Sequence, residues 1–384
     1  MQIDGDNSIE ILNIFLKRLI EKDGTDLHIK SDSIIRARIK GAISPLSLDT
    51  LSSKHVETIV VELMGKKMDE FIHKFSYDTI YILDKKHRFR VNLYQQLKGT
   101  SIVFRSIPHQ IRSFEQLNLP KALSKISELQ RGLVLVTGTT GSGKSTTLAS
   151  IIEDINRTSR RHIITIEDPI EYVYDDNQSV VEQRGIGQHA KDFSSALRSA
   201  MREDPDIIIV GEMRDLETAR NVLQAVNTGH LVFTTLHTLD ARETIDRLLA
   251  IFPLEEQERV RMDLAANLEV VISQRMLRDV DEEMIPAVEL MFKSPRTTHL
   301  IANSRDDELI DAMHHDQNST GSMPFDISLF HLVLQGKIDE ETAYTHATNP
   351  ANLRLMFTTS AEYQKMLNDG SLDDMVTIKV ENDQ

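Results

Sequence analysis

The feature that most constrains the fold is a glycine-rich loop at residues 138–145, which reads GTTGSGKS and matches the pattern G-x-x-x-x-G-K-[ST]. An apolar run, Leu133–Val136, lies directly before it, and a helical apolar stripe that includes Leu148 follows directly after it. In this strand–loop–helix order, the loop N–H groups and the helix N-terminus point at a phosphate. A plain glycine turn needs neither the lysine nor the serine. We therefore expect a nucleotide-binding α/β domain.

The loop also assigns roles to individual side chains. Lys144 is expected to reach the β- and γ-phosphates, and the hydroxyl of Ser145 is expected to ligate Mg²⁺. The expected substrate and cofactor are therefore ATP and Mg²⁺. The residues expected to contact the nucleotide are Gly138, Thr139, Thr140, Gly141, Ser142, Gly143, Lys144, Ser145 and Thr146.

Three more apolar runs predict buried parallel strands at Ile163–Ile166, Ile207–Val210 and Leu231–Phe233. Helical stripes alternate with them, which predicts an α/β layered domain. Polar residues follow each run, namely Glu167, Glu212 and His237. Because ligands bind beyond the carboxyl ends of parallel strands, these groups should converge on the phosphate loop. Hydrolysis needs one carboxylate to orient water and another to hold the metal, so the two glutamates are candidate catalytic residues.

Each of these residues also has a plain structural interpretation. Acidic residues after strands often cap the next helix, and Asp168-Pro169 fits that role. Gly211 stands where the Walker B motif usually ends in an aspartate, so the metal role passes to Glu212. A lone histidine beside a strand, such as His230 or His237, is more often structural than catalytic.

The N-terminal part has the character of a small α+β domain. A helical stripe runs from Ile9 to Ile20, and a second helix is expected from His55 to Lys74. A strand pair follows at 88–93 and 101–105, with one apolar face and one polar, basic face. The expected boundaries are a first domain at 1–108, a linker at 109–120, an ATPase domain at 121–347 and a partly flexible acidic tail at 348–384. From about Glu256 to His346 the pattern predicts helices.

Composition limits the functional classes. A length of 384 residues suits two domains. The formal net charge of −15 disfavours a nucleic-acid partner, although a local basic groove could still hold one. Absence of cysteine excludes disulfides and thiolate zinc sites. Residues 2–7 are acidic rather than a leader, and we find no run of about 18 apolar residues, so the expected location is the cytoplasm.

Four strings together resemble the secretion-type ATPases, and within them the PilT/PilU twitching-motility branch. GTTGSGKST resembles the Walker A box of that family, TIEDPIEY (165–172) its Asp box, REDPDIIIVGEMRD (202–215) its Walker B box and TGHLVFTTLHT (228–238) its His box. The segments GTDLHIK, HRFRVN and FRSIP extend the resemblance towards the N-terminus.

The resemblance implies a PAS-like N-terminal domain followed by a RecA-like domain with a parallel sheet and a helical C-terminal region. It implies that Glu167 polarises the attacking water and that Glu212 supports Mg²⁺. It also implies that His230 and His237 link the γ-phosphate site to neighbouring elements. Arg90 and Arg105 correspond to arginine fingers, with Arg88 as an open third position. Without the resemblance, these arginines would be interpreted as a solvated strand face.

The resemblance further implies a cytoplasmic homohexamer that acts on the inner-membrane platform protein of a type IV pilus and powers retraction. The chain lacks the long N-terminal region and four-cysteine site of assembly ATPases. Residues 296–301 read RTTHLI where principal retraction ATPases carry AIRNLI, and residues 325–356 resemble the accessory PilU-type subunit. Two alternatives therefore stay open, an accessory subunit that assists a paralogous retraction ATPase and a RecA-like nucleic-acid translocase.

Overall fold

The computed structural model describes residues 8–84, 86–107 and 110–368. The chain divides into two compact units, one up to Gln110 and one from Ile111 onward. In the described residues, no helix has both the length and the apolar character needed to cross a membrane.

The first unit is a six-stranded antiparallel sheet with helices packed on one face. Its strands are ordered β3-β2-β1-β6-β5-β4. The strands are β1 (Gly24–Lys30), β2 (Ser33–Ile39), β3 (Ala42–Leu51), β4 (Ser76–Ile82), β5 (Arg88–Gln96) and β6 (Gly99–Ile107). The helices are α1 (Ser8–Glu21), α2 (Ser53–Met64), α3 (Met68–Lys74) and a 3₁₀ turn at Gly65–Lys67.

Along β5, buried apolar side chains alternate with more exposed polar ones, and this alternation shows which face of the sheet packs into the core. Phe89, Val91 and Leu93 are fully buried and pack with the apolar stripe of α1. The predicted strand pair is confirmed, in longer form, by β5 and β6. The helix predicted from 55 to 74 is broken, because Gly65 takes a φ of 47° and ends α2.

The second unit is built on a seven-stranded sheet in the order β13-β12-β7-β11-β10-β8-β9. Every neighbouring pair is parallel except β12 and β13. The sheet is therefore mixed rather than purely parallel. The strands are β7 (Gly132–Gly138), β8 (His162–Glu167), β9 (Val180–Gly185), β10 (Ile207–Val210), β11 (Leu231–Leu236), β12 (Leu268–Arg278) and β13 (Met284–Phe292).

Helices cover both faces of this sheet, which is why its central strands are apolar throughout. One face packs on α4 (Lys144–Thr158) and a 3₁₀ helix, Lys121–Glu128. The other packs on α5 (Phe193–Ala200), α6 (Leu216–Asn227), α7 (Ala241–Ala250) and α8 (Leu254–Asn267). Both layers were expected from the alternating apolar runs.

The prediction that residues 256–346 are helical was wrong for β12 and β13. The run Val270-Val271-Ile272 is β-branched and fully buried, and it extends the sheet beside β7. Helices resume afterwards as α9 (Pro295–Ala302), a 3₁₀ turn at Asp306–Glu308, α10 (Leu309–Thr320), α11 (Phe325–Leu334), α12 (Glu340–His346), α13 (Pro350–Thr359) and α14 (Ala361–Asn368).

Two predicted boundaries also need correction. Leu117 and Leu119, in the predicted linker at 109–120, are buried in the core of the second unit, so residues 111–120 belong to that unit. The tail predicted from 348 includes α13 and α14, because Leu353, Phe357 and Tyr363 are buried against α11. The rest of the predicted tail, from Asp369, lies outside the described residues, as do residues 2–7 and residues 108 and 109.

Candidate active site

The glycine-rich loop begins where β7 ends, and its first glycine cannot be replaced without displacement of its neighbours. Gly138 has a φ of 143°. A Cβ atom there would lie 2.3 Å from Ser142 Oγ and 2.5 Å from the backbone oxygen of Gln274. The backbone of the loop therefore runs against β12 at a distance that only glycine permits.

The loop ends in a helix whose N-terminus is left without a side-chain cap. Gly143 is the N-cap residue of α4, in the left-handed conformation with a φ of 86°. By contrast, the carboxylate of Asp215 caps α6. The N–H groups of the first turn of α4 thus have no capping side chain, and they point where an anion would be stabilised. Thr139 and Thr140 are exposed at the tip of the loop.

Lys144 folds back onto the loop. Its Nζ donates to the backbone oxygens of Gly138 at 2.7 Å and Thr139 at 3.0 Å. It also lies 3.4 Å from Nδ1 of His237. Burial lowers the pKa of Lys144, and the negative charges of Glu212 and Glu171 offset part of that effect. The ammonium group is therefore held by weak carbonyl partners that a phosphate group would replace favourably.

Glu212 follows β10 and lies on the other side of His237. Its Oε1 is 3.2 Å from His237 Nε2, and its Oε2 is 2.6 Å from Arg214 Nη2. Partial burial would raise the pKa of Glu212. This effect of burial is outweighed by the hydrogen bond and charge of Arg214, together with the charges of His237 and Lys144. The pKa of Glu212 is therefore held below its ordinary value. Glu212 is therefore a carboxylate at neutral pH.

Glu167, at the end of β8, is held by three donors. Thr165 Oγ1 donates to its Oε1 at 2.6 Å, and Gln183 Nε2 donates to the same oxygen at 3.3 Å. The backbone N–H of Glu171 donates to its Oε2 at 3.3 Å. Burial nevertheless raises the pKa of Glu167, because desolvation outweighs these hydrogen bonds. A fixed carboxylate with a raised pKa is suited to accept a proton.

The donor atoms near the loop fit a magnesium ion. Ser145 lies in the first turn of α4 and supplies a hydroxyl oxygen, and Glu212 supplies carboxylate oxygens. Both are hard oxygen ligands of the kind Mg²⁺ takes, usually with several waters and substrate phosphates. Among the described residues, no cluster of three or more His, Asp or Glu could hold a metal alone. These residues therefore do not form a metal site from protein ligands alone. A Mg²⁺ site that shares its ligands with a nucleotide phosphate does not require such a cluster.

His230 is not brought to this site. It precedes β11, and its backbone oxygen accepts from the N–H of Gly132 at the start of β7. The phosphate loop lies at the other end of β7, roughly 20 Å away at about 3.3 Å per residue. The Nδ1 atom of His230 lies 3.0 Å from the backbone oxygen of Ala225 and 3.1 Å from Thr228 Oγ1. Within this chain, His230 therefore lies at the opposite end of β7 from the phosphate loop, and its predicted role stays a prediction.

Arg90 and Arg105 belong to the first unit and stand directly opposite each other on β5 and β6. Arg105 Nε donates to Asp26 Oδ1 at 2.8 Å, although 67% of its side chain is exposed. Arg90 Nε lies 3.7 Å from Asp78 Oδ1, with its side chain 41% exposed. The two guanidinium groups therefore share one polar face of the antiparallel sheet.

Several supporting residues were missed in the sequence. Arg214 and Thr165 lie inside the strings quoted above and could have been found from their spacing to Glu212 and Glu167. Gln183 lies on β9, which was not predicted. Gln274 lies on β12, where its Nε2 donates to Thr147 Oγ1 of α4 at 2.8 Å, and no local sequence signal marks it.

Comparisons with known proteins agree with this architecture. The profile of the family described as "Type II/IV secretion system protein" matches residues 3–305. The type IV pilus retraction ATPase PilT of Pseudomonas aeruginosa is 40% identical over 86% of this chain and 96% of its own length. The type IV pilus ATPase PilU of the same organism is 33% identical over 90% of this chain and 91% of its own length. A crystal structure of the pilus retraction motor PilT with bound ADP has a TM-score of 0.84 at 38% identity, and the match covers 90% of this chain and 99% of that one.

Proposed function

The chain belongs to the type II/IV secretion system protein family, and on that premise we propose that it is an ATP-hydrolysing motor subunit that powers retraction of type IV pili. The observation that carries this proposal is the row of side chains Lys144, His237 and Glu212 beside an uncapped helix N-terminus. A cation for phosphate and a carboxylate for metal are parts that phosphoryl transfer needs, and the imidazole of His237 lies between them.

The division of labour follows from the contacts of each group. Lys144 exchanges its carbonyl partners for the β- and γ-phosphates of ATP. Glu212 and Ser145 would hold Mg²⁺, which would neutralise negative charge on the phosphates. Glu167 is fixed by Thr165 and Gln183, so it orients water and takes up its proton.

The imidazole of His237 can serve both of its neighbours at once. With its hydrogen on Nε2, it faces Glu212 as a donor and offers Nδ1 to the ammonium of Lys144. Loss of the γ-phosphate would therefore change the contacts of His237, and through this side chain it would affect both Glu212 and the end of β11. This arrangement couples the state of the nucleotide to the position of two strand ends.

Arg90 and Arg105 are proposed to act as arginine fingers on the nucleotide, as the resemblance to this family implies. Their support is that both guanidinium groups are partly exposed on one face of the first unit. We further propose a cytoplasmic homohexamer that acts on the inner-membrane platform protein of the pilus and is attached to the membrane through it.

Deletion of the gene in a piliated host tests the proposal. Cells without the chain should carry more or longer pili and lose surface motility, and the wild-type gene should restore both properties. The Lys144→Ala gene, expressed to the same level, should not restore them. Normal motility in the deletion strain, in a host with no paralogue, would reject the retraction role.

An accessory role is the second candidate, because the match to PilU covers 90% of this chain and the sequences of residues 325–347 and 349–356 resemble that type. In that case the chain would assist a paralogous retraction ATPase. ATP turnover of the isolated chain, compared with turnover of its mixture with the paralogue, separates the two. A chain that is inactive alone but raises the rate of the mixture is accessory. A chain that is fully active alone is a principal motor.

A further inference from the structure

A cavity of about 310 Å³ lies in the second unit beside β13. No residue of the phosphate loop lines it. Its floor is buried and its mouth is exposed, so it opens to solvent on one side. The lining residues that matter to the argument are Glu289, Asp307, Asp311, His314, Phe325 and Asp326.

The charge of this lining is negative. Four of its side chains carry carboxyl groups, and none is lysine or arginine. Two cations lie nearby and are already engaged. Arg242 Nη1 is 2.6 Å from Asp307 Oδ1. Arg275 stacks 3.9 Å from the ring centre of Phe325 and donates to the backbone oxygen of His346 at 3.0 Å. The cavity therefore attracts a positive group.

Glu289 provides the second and independent observation. Its residue is 3% exposed. The backbone N–H of Ala241 donates to its Oε1 at 2.8 Å, but its Oε2 accepts no hydrogen bond from any described residue. Glu289 lines the cavity, so a hydrogen-bond donor placed there can reach this oxygen and stabilise a carboxylate that is otherwise almost fully removed from water.

The charges around Glu289 indicate which kind of hydrogen-bond partner its carboxylate favours. Burial raises its pKa to about 7, the N–H of Ala241 lowers it, and the negative charges of Asp240 and Asp326 add to the increase. Arg275 opposes that increase without providing a hydrogen bond. The acidic lining and the oxygen of Glu289 that accepts no hydrogen bond from a described residue together favour a donor that carries positive charge.

A metal ion fits this cavity poorly. In the portion of the chain that is described, no three His, Asp or Glu side chains are close enough to ligate one ion. Ile310, Pro324 and Phe325 add apolar surface to the lining. Acidic groups combined with an apolar wall suit an organic cation, whose aliphatic part packs while its head group donates hydrogen bonds.

We propose that this cavity binds an alkylammonium or guanidinium group, which donates to the free oxygen of Glu289 while its aliphatic stem lies against Phe325. The group has two possible sources, a free small amine or the basic side chain of another polypeptide. Arg and Lys side chains present the same chemistry as small amines, so the cavity itself does not discriminate between them.

Calorimetric titration of the full-length protein with agmatine tests the proposal, because agmatine carries both an ammonium and a guanidinium group. The wild type should bind agmatine. Glu289→Gln keeps an acceptor for Ala241 N–H but removes the charge, and it should weaken binding at least tenfold. Asp311→Asn, at the exposed mouth, should weaken it by a smaller factor. Glu255→Gln, at an exposed position of α8, is the matched control and should bind agmatine as the wild type does.

Titration with acetyl-Gly-Arg-Gly-amide distinguishes the two sources. Binding tighter than that of agmatine indicates a side chain of another polypeptide, whereas weaker binding or none indicates a small amine. Both results support the site when they depend on Glu289. If neither probe binds the wild type, or if both bind Glu289→Gln equally well, the cavity is not a cation site and the proposal is overturned.

Discussion

His237 lies beside Glu212, with Nε2 of the imidazole 3.2 Å from Oε1 of the carboxylate. The contact joins the segment after β11 to the segment after β10, and the other ring nitrogen faces Lys144. Two strand ends and the phosphate loop are thereby linked through one imidazole. The predictions below separate the roles of the groups around it.

Glu167→Gln should keep nucleotide affinity within about threefold and lose most of the rate, on the order of 10²-fold or more, because a carboxamide cannot take up a proton. The three donors to Glu167 limit structural change in this variant. Fluorescent-nucleotide binding and steady-state turnover measure the two quantities. Glu182→Gln on neighbouring β9 is the matched control. Normal turnover in Glu167→Gln would remove this residue from the proton-transfer step.

Glu212→Gln should raise the Mg²⁺ concentration required for half-maximal turnover, because it removes the charge of the carboxylate that is proposed to hold Mg²⁺. Arg214 loses its partner in this variant, so Arg214→Ala serves as the control for that secondary loss. A magnesium titration of turnover compares the three proteins. An unchanged magnesium requirement in Glu212→Gln, with a large loss in Glu167→Gln, would assign the metal role to another group.

Arg90→Ala and Arg105→Ala should each depress ATP turnover strongly, by about 10³-fold, because a finger stabilises charge that develops on the transferred phosphoryl group. A solvated strand face would give almost no change. Arg36→Ala on β2 is the matched control, since among the described residues the side chain of this exposed arginine donates hydrogen bonds only to Ser33 Oγ and the backbone oxygen of Ile34.

Assembly and folding must be checked with the same arginine variants. Arg105→Ala leaves the buried carboxylate of Asp26 with fewer partners, so a modest loss of thermal stability is expected there and not in Arg90→Ala. Near-normal turnover in both variants, with the oligomer intact, would refute a role of the first unit in hydrolysis.

Glu289→Gln should stabilise the protein at pH 8 and leave it nearly unchanged at pH 5. Burial raises the pKa of Glu289 from 4.5 to about 7, so the folded state binds more protons than the unfolded state between these values. Folding free energy is therefore lost as pH rises through this range, by about 3 kcal/mol in total. Glutamine does not titrate. Thermal unfolding at both pH values measures the effect, and an equal change at pH 5 and pH 8 would contradict it.

The central part of the fold could be predicted because its signals are local. A continuous apolar run such as Ile207–Val210 can be buried on both faces only inside a covered sheet, and the glycine-rich loop fixes its own strand and helix. The convergence of Glu167, Glu212 and His237 followed from the rule about strand ends. His230 precedes β11, so the rule about strand ends does not place it at this site, and its predicted role rests on the family resemblance alone.

The missed features depend on register and tertiary pairing. β12 follows α8 directly, so the apolar stripe of the helix continued into Val270 and Val271 and concealed the change of period. The contact of Gln274 with Thr147 spans 127 residues, and the bond from Ala241 to Glu289 spans 48. Such pairs are set by how strands align in the sheet, and no sequence window contains both partners.

Steady-state ATP turnover by the wild type and by Lys144→Ala tests the central claim most directly. Lys144 contributes charge, whereas the loop backbone and the start of α4 form most of the phosphate cradle. The wild type should hydrolyse ATP in the presence of Mg²⁺. Lys144→Ala should melt like the wild type and show no turnover above background. Wild-type turnover in a correctly folded Lys144→Ala protein would contradict the assignment of this loop as the site of hydrolysis.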